Sequence, residues 1–131
     1  MAVMAEAWFK RSVIYEVDVR TFFDSDGDGR GDLQGLTRKL DYIAGLGVSA
    51  IWLNPFFESP DRDGGYDISD YYTVDPALGS LGDFAVLLEE AKSLGLKVII
   101  DLVVNHTSDQ HPWFQEALTS RHAPRILDRI D

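Results

Sequence analysis

Apolar residues along the chain form three dense runs, at residues 12–22, 48–53 and 98–104. Runs rich in β-branched and aromatic residues are typical of strands. The third run has almost no polar alternation, which predicts a parallel strand covered on both faces. Asp101 interrupts it, and a carboxylate there is costly to bury unless it is paired or hydrogen-bonded. We therefore expect Asp101 to face a polar barrel interior or to hold a positive partner.

Between the strands, apolar residues recur every third or fourth position at residues 33–43 and 84–94, and each segment stops at glycine. This spacing predicts two amphipathic helices, and residues 111–118, with Pro112 near the start, predict a short third one. Strands and helices alternate as βαβαβ, which opens either a doubly wound sheet or a (β/α)8 barrel. A barrel needs about 250 residues. At 131 residues, the chain is predicted to be α/β, the first three βα units of an incomplete TIM barrel.

Composition narrows the class of protein. The net charge of −10 argues against nucleic acid or an anionic membrane as a partner, since both require clustered Lys and Arg. The chain has no cysteine, so disulfides and thiolate metal sites are excluded. Glu6 and Lys10 break up any apolar leader, and no segment approaches membrane-spanning length. We expect a cytoplasmic protein.

Residues 24–32, called here the acidic loop, alternate carboxylates with glycines. Hard oxygen ligands in this pattern suit calcium or magnesium. The first six residues fit an EF-hand, but Gly35 stands where the bidentate Glu should be. A single EF-like loop closed by Asp32 is the interpretation we favour. The alternative is a solvated acidic turn.

Residues 54–75 form a long connection, and a loop of that length in a compact domain is usually functional. Its glycines free the backbone to present Asp63 and Tyr66 from one turn. A carboxylate that takes hydroxyls and an aromatic ring that covers the apolar face of a pyranose commonly hold a sugar. The alternative is a tyrosine-rich loop that packs on its own domain.

Three motifs, in order along residues 8–118, resemble the alpha-amylase family of glycoside hydrolases. Asp-Leu-Val-Val-Asn-His at 101–106 is similar to the family's segment at the end of barrel strand three. The acidic loop is similar to the metal loop after strand one in the oligo-1,6-glucosidase-like branch. Residues 63–67 together with 105–114 are most similar to trehalose synthases, which isomerise maltose and trehalose.

The resemblance implies a role for each matched residue. Asp63 and Tyr66 would bind the sugar in subsite −1, with Tyr66 as stacking platform, and His106 would hydrogen-bond a sugar hydroxyl. Asp101, with Asn105, would support that subsite from beneath, as a partner for a later arginine of the family. A structural calcium ion, or alternatively magnesium, would be held by four carboxylates and one carbonyl: Asp24, Asp26, Asp28, Asp32 and the carbonyl of Arg30.

The family's reaction is retaining and uses an Asp nucleophile and a Glu acid/base. These residues, and a third stabilising Asp, lie on strands four, five and seven, so the resemblance gives this sequence no catalytic residue. Residues 121–131 depart from the family pattern, which suggests a frameshift or premature stop and a division into a barrel part, 1–120, and a divergent tail. We expect the isolated chain to be inactive and to expose the apolar sides of residues 48–53 and 98–104.

Other classes of protein remain open from the sequence. The same resemblance allows an alpha-glucosidase fragment of the oligo-1,6-glucosidase kind. A sugar- or calcium-binding module without catalysis would use the same loops. Binding by such a module would not require the catalytic carboxylates. A small doubly wound domain of the phosphate-receiver kind is disfavoured, because the acids after the first strand belong to the metal pattern. The oligomeric state is not predicted.

Overall fold

The computed structural model describes residues 7–119. The predicted tail, residues 121–131, lies outside this range. Five strands are present in the described part: β1 (Ile14–Val17), β2 (Ala50–Leu53), β3 (Phe57–Glu58), β4 (Asp70–Val74) and β5 (Lys97–Ile100). The helices there are a 3-10 turn (Trp8–Arg11), α1 (Val19–Phe22), α2 (Leu33–Arg38), α3 (Leu40–Gly45), α4 (Leu81–Ser93) and α5 (Pro112–Thr119). No helix among residues 7–119 is both long and apolar enough to cross a membrane.

Three strands form one parallel sheet in the order β1-β2-β5. Val17 lies opposite Leu53, and Leu53 opposite Ile100, so the three strands end at one level. Strands joined through helices in this way are successive βα units. The predicted fold class is confirmed, as three units of a parallel α/β barrel that does not close.

The core lies between β1, β2 and the helices α2, α3 and α4. Its fully buried side chains include Leu36, Leu40, Ile43, Ile51 and Leu87, each 0% exposed. Two N-caps fix where the helices begin: Asp32 accepts a hydrogen bond from the Gly35 amide for α2, and Ser80 forms a capping box with Asp83 for α4. The caps set the starts of α2 and α4, and the packing of Leu36 and Leu87 in the core holds both helices against the sheet.

The first and third apolar runs form shorter strands than predicted. The first run is divided, because the Asp18 side chain accepts from the Arg20 amide and starts α1 immediately after β1. The third strand ends at Ile100, with Leu102 77% and Val104 70% exposed. In the described chain β5 pairs only with β2, so its outer side lacks the neighbour that would continue the ladder.

Two other segments also differ from prediction. The helix expected at residues 33–43 breaks at Lys39, whose φ of −107° and ψ of 2° separate α2 from α3. The connection at 54–75 is not entirely loop, since β3 and β4 pair there as a small antiparallel sheet. The expected exposure of residues 48–53 is wrong for β2: Ala50, Ile51 and Leu53 are each 0% exposed because β2 is the central strand.

Candidate functional site

Asp101 follows β5 directly and receives two neutral donors. Trp52 Nε1 on β2 donates to Asp101 Oδ1 at 2.9 Å, and the Tyr66 hydroxyl donates to Oδ2 at 2.6 Å. Both carboxylate oxygens are therefore satisfied, which offsets the cost of partial burial. Within residues 7–119 no Lys or Arg forms a salt bridge with Asp101, so the positive partner that the sequence allowed is absent there. The contact brings the loop after β2 to the end of β5.

Tyr66 is held in the donor state by this contact. The hydrogen bond to Asp101, followed by burial and by the charge of Asp101, raises the pKa of Tyr66 to about 12. The phenol therefore stays protonated well into the alkaline range and remains a hydrogen-bond donor to Asp101. The role of Tyr66 as a stacking platform for sugar stays a prediction.

The turn of residues 59–67, called here the sugar loop, is organised by Asp67. Asp67 Oδ1 accepts from Ser59 Oγ at 2.8 Å, and Oδ2 accepts from the Arg62 amide at 2.9 Å. Burial acts to raise the pKa of Asp67, but these hydrogen bonds outweigh it and lower the pKa. The Tyr66 amide also donates to the Asp63 carbonyl at 3.0 Å. The turn is thus built from its own polar groups.

Asp63 is exposed, and its carboxylate accepts no side-chain or amide hydrogen bond recorded within residues 7–119. A carboxylate with free lone pairs can take ligand hydroxyls. Asp63 and Tyr66 belong to one turn, with the Tyr66 hydroxyl directed to Asp101 and the Asp63 side chain exposed. The presentation of both residues to a sugar stays a prediction.

His106 and Asn105 lie on the segment after β5, and both are exposed. Asn105 Nδ2 is 3.2 Å from His106 Nδ1, and the Tyr71 hydroxyl is 3.0 Å from the His106 carbonyl oxygen. His106 lines an apolar cavity of about 230 Å³ together with Tyr71 and Trp113. Within the described residues no hydrogen bond joins His106 to Asp63 or Tyr66, so their common subsite stays a prediction.

The acidic loop brings together carboxylate oxygens of Asp24, Asp26 and Asp28, all within 4.8 Å of one another. Hydrogen bonds from the Gly29 and Gly27 amides lower the pKa of Asp24, and burial opposes them. Three carboxyl groups at this separation match the hard oxygen ligands that calcium and magnesium prefer. The donor set therefore fits a divalent cation.

Asp32 and Arg30 take other parts in the loop. Asp32 lies outside the three-carboxylate group, and its two oxygens accept from the Ser25 amide at 2.8 Å and the Gly35 amide at 2.6 Å. Burial acts to raise the pKa of Asp32, but these bonds lower it. Arg30 donates its amide to Asp28 and places its guanidinium 3.7 Å from Asp61. Ligation by Asp32 and the Arg30 carbonyl stays a prediction.

Arg20 and His111 were not singled out from the sequence, yet both are buried at this end of the sheet. Arg20 has an 8% exposed side chain and lies against the sugar loop. His111 is 6% exposed, and its Nδ1 accepts from the Trp113 amide at 3.1 Å, which caps α5. Arg20 alternates with apolar residues in the first run, a pattern that favours a solvent-facing side chain, so nothing in the sequence indicated its burial. No local pattern marks His111.

Comparison with known proteins identifies the class. Residues 16–126 match the family model described as alpha amylase, catalytic domain. The match covers most of the chain, so the chain belongs to the alpha-amylase family, and the predicted family is confirmed.

Individual relatives refine this placement. The trehalose synthase/amylase TreS of Mycolicibacterium smegmatis is 61% identical over 117 residues, which are 89% of this chain and 19% of the relative. The oligo-1,6-glucosidase of Parageobacillus thermoglucosidasius is 48% identical over 121 residues, 92% of this chain and 22% of the relative. The crystal structure of XgtA, an alpha-glucosyl transfer enzyme, superposes with a TM-score of 0.87 at 59% identity, over 90% of this chain and 22% of that one. The chain therefore spans about one fifth of the length of these relatives.

Proposed function

We propose that this chain forms the first part of a barrel that transfers glucosyl groups of small α-glucosides, and that its reaction is the interconversion of maltose and trehalose. The observation that carries the proposal is the meeting of Tyr66 and Asp101, at 2.6 Å, where the parallel strands end. Ligands of α/β barrels bind at this end. The 61% identity to a trehalose synthase supports the choice of substrate.

The residues of this chain would bind and orient the sugar and would not perform the chemistry. Asp63, with its free carboxylate, would take sugar hydroxyls, and Tyr66 would cover the ring face. His106 would donate to a hydroxyl once the segment after β5 is covered by further barrel elements. The nucleophile and acid/base of a retaining mechanism would come from outside the matched positions.

The acidic loop would hold a calcium ion with a structural role, with magnesium as the alternative. Support comes from the three clustered carboxylates of Asp24, Asp26 and Asp28. The bound ion would neutralise their mutual repulsion and fix the loop that leads into α2. We assign it no part in the reaction.

A hybrid enzyme tests the proposal. Residues 8–118 would replace the aligned segment of the Mycolicibacterium smegmatis relative, and trehalose formation from maltose would be measured. We expect turnover in the hybrid, and Tyr66→Ala should raise the KM for maltose roughly tenfold, which corresponds to about 1.4 kcal/mol of lost binding. Tyr72→Ala is the matched control, since Tyr72 is 84% exposed.

The products distinguish the alternatives. Release of glucose without trehalose would support an alpha-glucosidase, for which the 48% identity to an oligo-1,6-glucosidase is the favouring observation. A hybrid that binds maltose and turns nothing over would support a binding module. A hybrid that folds but binds no maltose would contradict the assignment of the sugar site.

A further inference from the structure

Arg20 occupies a position that connects three segments at the ends of the strands. Its Nη1 donates to the Pro55 carbonyl at 2.6 Å. Its Nε lies 3.3 Å from Asp61 Oδ1, and its Nη2 lies 3.5 Å from Asp75 Oδ2. Each nitrogen of the guanidinium thus faces a different oxygen, although the contacts to Asp61 and Asp75 are ion pairs without well-aligned hydrogen bonds.

The backbone around Arg20 shows that this position is restrained. Asp61 adopts a left-handed φ of 57°, which is uncommon for a residue other than glycine. A Cβ atom at Gly65 would lie 2.7 Å from Arg20 Nη1 and 2.7 Å from the Pro55 carbonyl oxygen. The sugar loop therefore packs directly on the guanidinium, at the residue before Tyr66, and leaves no room for another side chain.

The other side of Arg20 is fixed by the acidic loop. The Gly31 amide donates to the Arg20 carbonyl at 2.8 Å, and Arg30 Nη2 lies 3.7 Å from Asp61 Oδ2. The buried guanidinium of Arg20 thus makes one hydrogen bond, to the Pro55 carbonyl, and two ion pairs, to Asp61 and Asp75. The ammonium group of a lysine could not face all three oxygens in this planar, forked arrangement.

We propose that Arg20 is a positioning residue, whose guanidinium fork, together with Asp61, holds the sugar loop so that Asp63 is presented and Tyr66 reaches Asp101. Arg20 acts through the loop and touches no sugar itself. The part of the inference that concerns sugar rests on the proposed function, whereas the holding of the loop does not.

The test uses the full chain and two local measurements that need no sugar. Hydrogen exchange would be followed by mass spectrometry in peptides that cover residues 59–67 and in peptides from α4. The ionisation of Tyr66 would be followed by NMR with labelled tyrosine. The variants are Arg20→Met, Arg20→Lys and Asp61→Asn, and Arg11→Met is the control because Arg11 is exposed.

We expect exchange in the sugar loop to become roughly tenfold faster in Arg20→Met and Asp61→Asn, with α4 unchanged, because only local opening is altered. The pKa of Tyr66 should fall towards its ordinary value as the bond to Asp101 is lost. Arg20→Lys should resemble Arg20→Met, and Arg11→Met should resemble the original chain.

Unchanged loop exchange in a folded Arg20→Met variant would overturn the proposal, and so would full protection in Arg20→Lys. Equal acceleration in the loop and in α4 would also overturn it, since Arg20 would then support general stability only. If Arg20→Met does not fold, Asp61→Asn decides by the same criteria. If the hybrid enzyme binds no sugar but the variants still show the expected change in loop exchange, the proposed function is rejected and the positioning role of Arg20 is retained.

Discussion

The Tyr66 hydroxyl joins the loop after β2 to the end of β5 by a hydrogen bond to the Asp101 side chain. We expect Tyr66→Phe to lower the free energy of unfolding by about 1 kcal/mol, because a partly exposed bond of this kind contributes modestly. In a spectrophotometric pH titration, the absorbance change from the tyrosine that ionises near pH 12 should be absent in Tyr66→Phe. Tyr72→Phe is the matched control and should change neither quantity. A titration unchanged by Tyr66→Phe would show that another tyrosine carries the raised pKa.

The need for a hydrogen-bond partner could be predicted for a residue whose burial would otherwise cost free energy. Asp101 stood out because a carboxylate inside an apolar run needs a partner, and the structure supplies Trp52 and Tyr66. The identity of these donors was not predictable, since they come from segments distant in sequence. Arg20 was missed for the same reason: its partners at Pro55, Asp61 and Asp75 are brought together only by the fold.

At the scale of elements, the stability that the His111 cap gives to the start of α5 is predicted to depend on pH. Burial lowers the pKa of His111, and Asp70 opposes this only in part. The unfolded chain takes up the proton near pH 6.5, the ordinary value, whereas the folded chain does so only at lower pH. The cap is therefore fully present above about pH 6.5 and is lost as the pH falls through the folded pKa.

Denaturant unfolding at pH 7.5 and pH 5 measures this effect. The original chain should lose more stability between the two pH values than His111→Asn, since asparagine can cap a helix without titrating. His106→Asn is the matched control, because it removes an exposed histidine that lies outside α5. Equal pH dependence in the chain and in His111→Asn would contradict the assigned role of His111.

The acidic loop gives a second prediction at this scale. Calorimetric titration should show calcium uptake by the chain, and Asp28→Ala should abolish it because one of three clustered carboxylates is removed. Asp41→Ala, which removes an exposed acid on α3, should leave uptake intact. A folded chain that takes up neither calcium nor magnesium would rule out the metal site.

The types and order of the elements followed from the sequence, but their ends did not. Apolar spacing was sufficient for three parallel strands and the helices between them. The boundaries were set by contacts that spacing does not report: the Asp18 cap that starts α1, the turn at Lys39, and the pairing of β5 with β2 alone in the described part of the chain. The pairing of β3 with β4 was hidden because both strands lie in a segment rich in proline, glycine and tyrosine.

For the whole molecule, the exposed apolar segment after β5 predicts self-association. Leu102 is 77% exposed and Val104 70%, next to an edge of β5 that pairs with no other strand among residues 7–119. We expect analytical ultracentrifugation of the purified chain to show oligomers or aggregates, and Leu102→Lys to reduce them. Leu88→Lys is the control and should have little effect, since Leu88 is a 40% exposed residue of α4 and lies outside the segment after β5. A strictly monomeric chain would contradict this prediction.

The isolated chain is predicted to have no enzymatic activity on α-glucosides. The matched positions supply residues that hold a sugar and no pair of catalytic carboxyl groups, which in retaining enzymes lie roughly 5 to 5.5 Å apart. We expect the purified 131-residue chain neither to interconvert maltose and trehalose nor to hydrolyse an activated α-glucoside. Sustained turnover by a preparation free of host glucosidases would show that the carboxyl groups lie within this chain.

The strands stand in the sheet in the same order in which the chain is synthesised, with Ile14 opposite Ala50 and Ala50 opposite Lys97. On the ribosome β1 emerges first, β2 can pair with it once residues 50–53 have also emerged, and β5 then adds to the free side of β2. No strand has to be inserted between two that are already paired. Each addition leaves the newest strand as the template for the next, so the sheet can grow in one direction while translation continues.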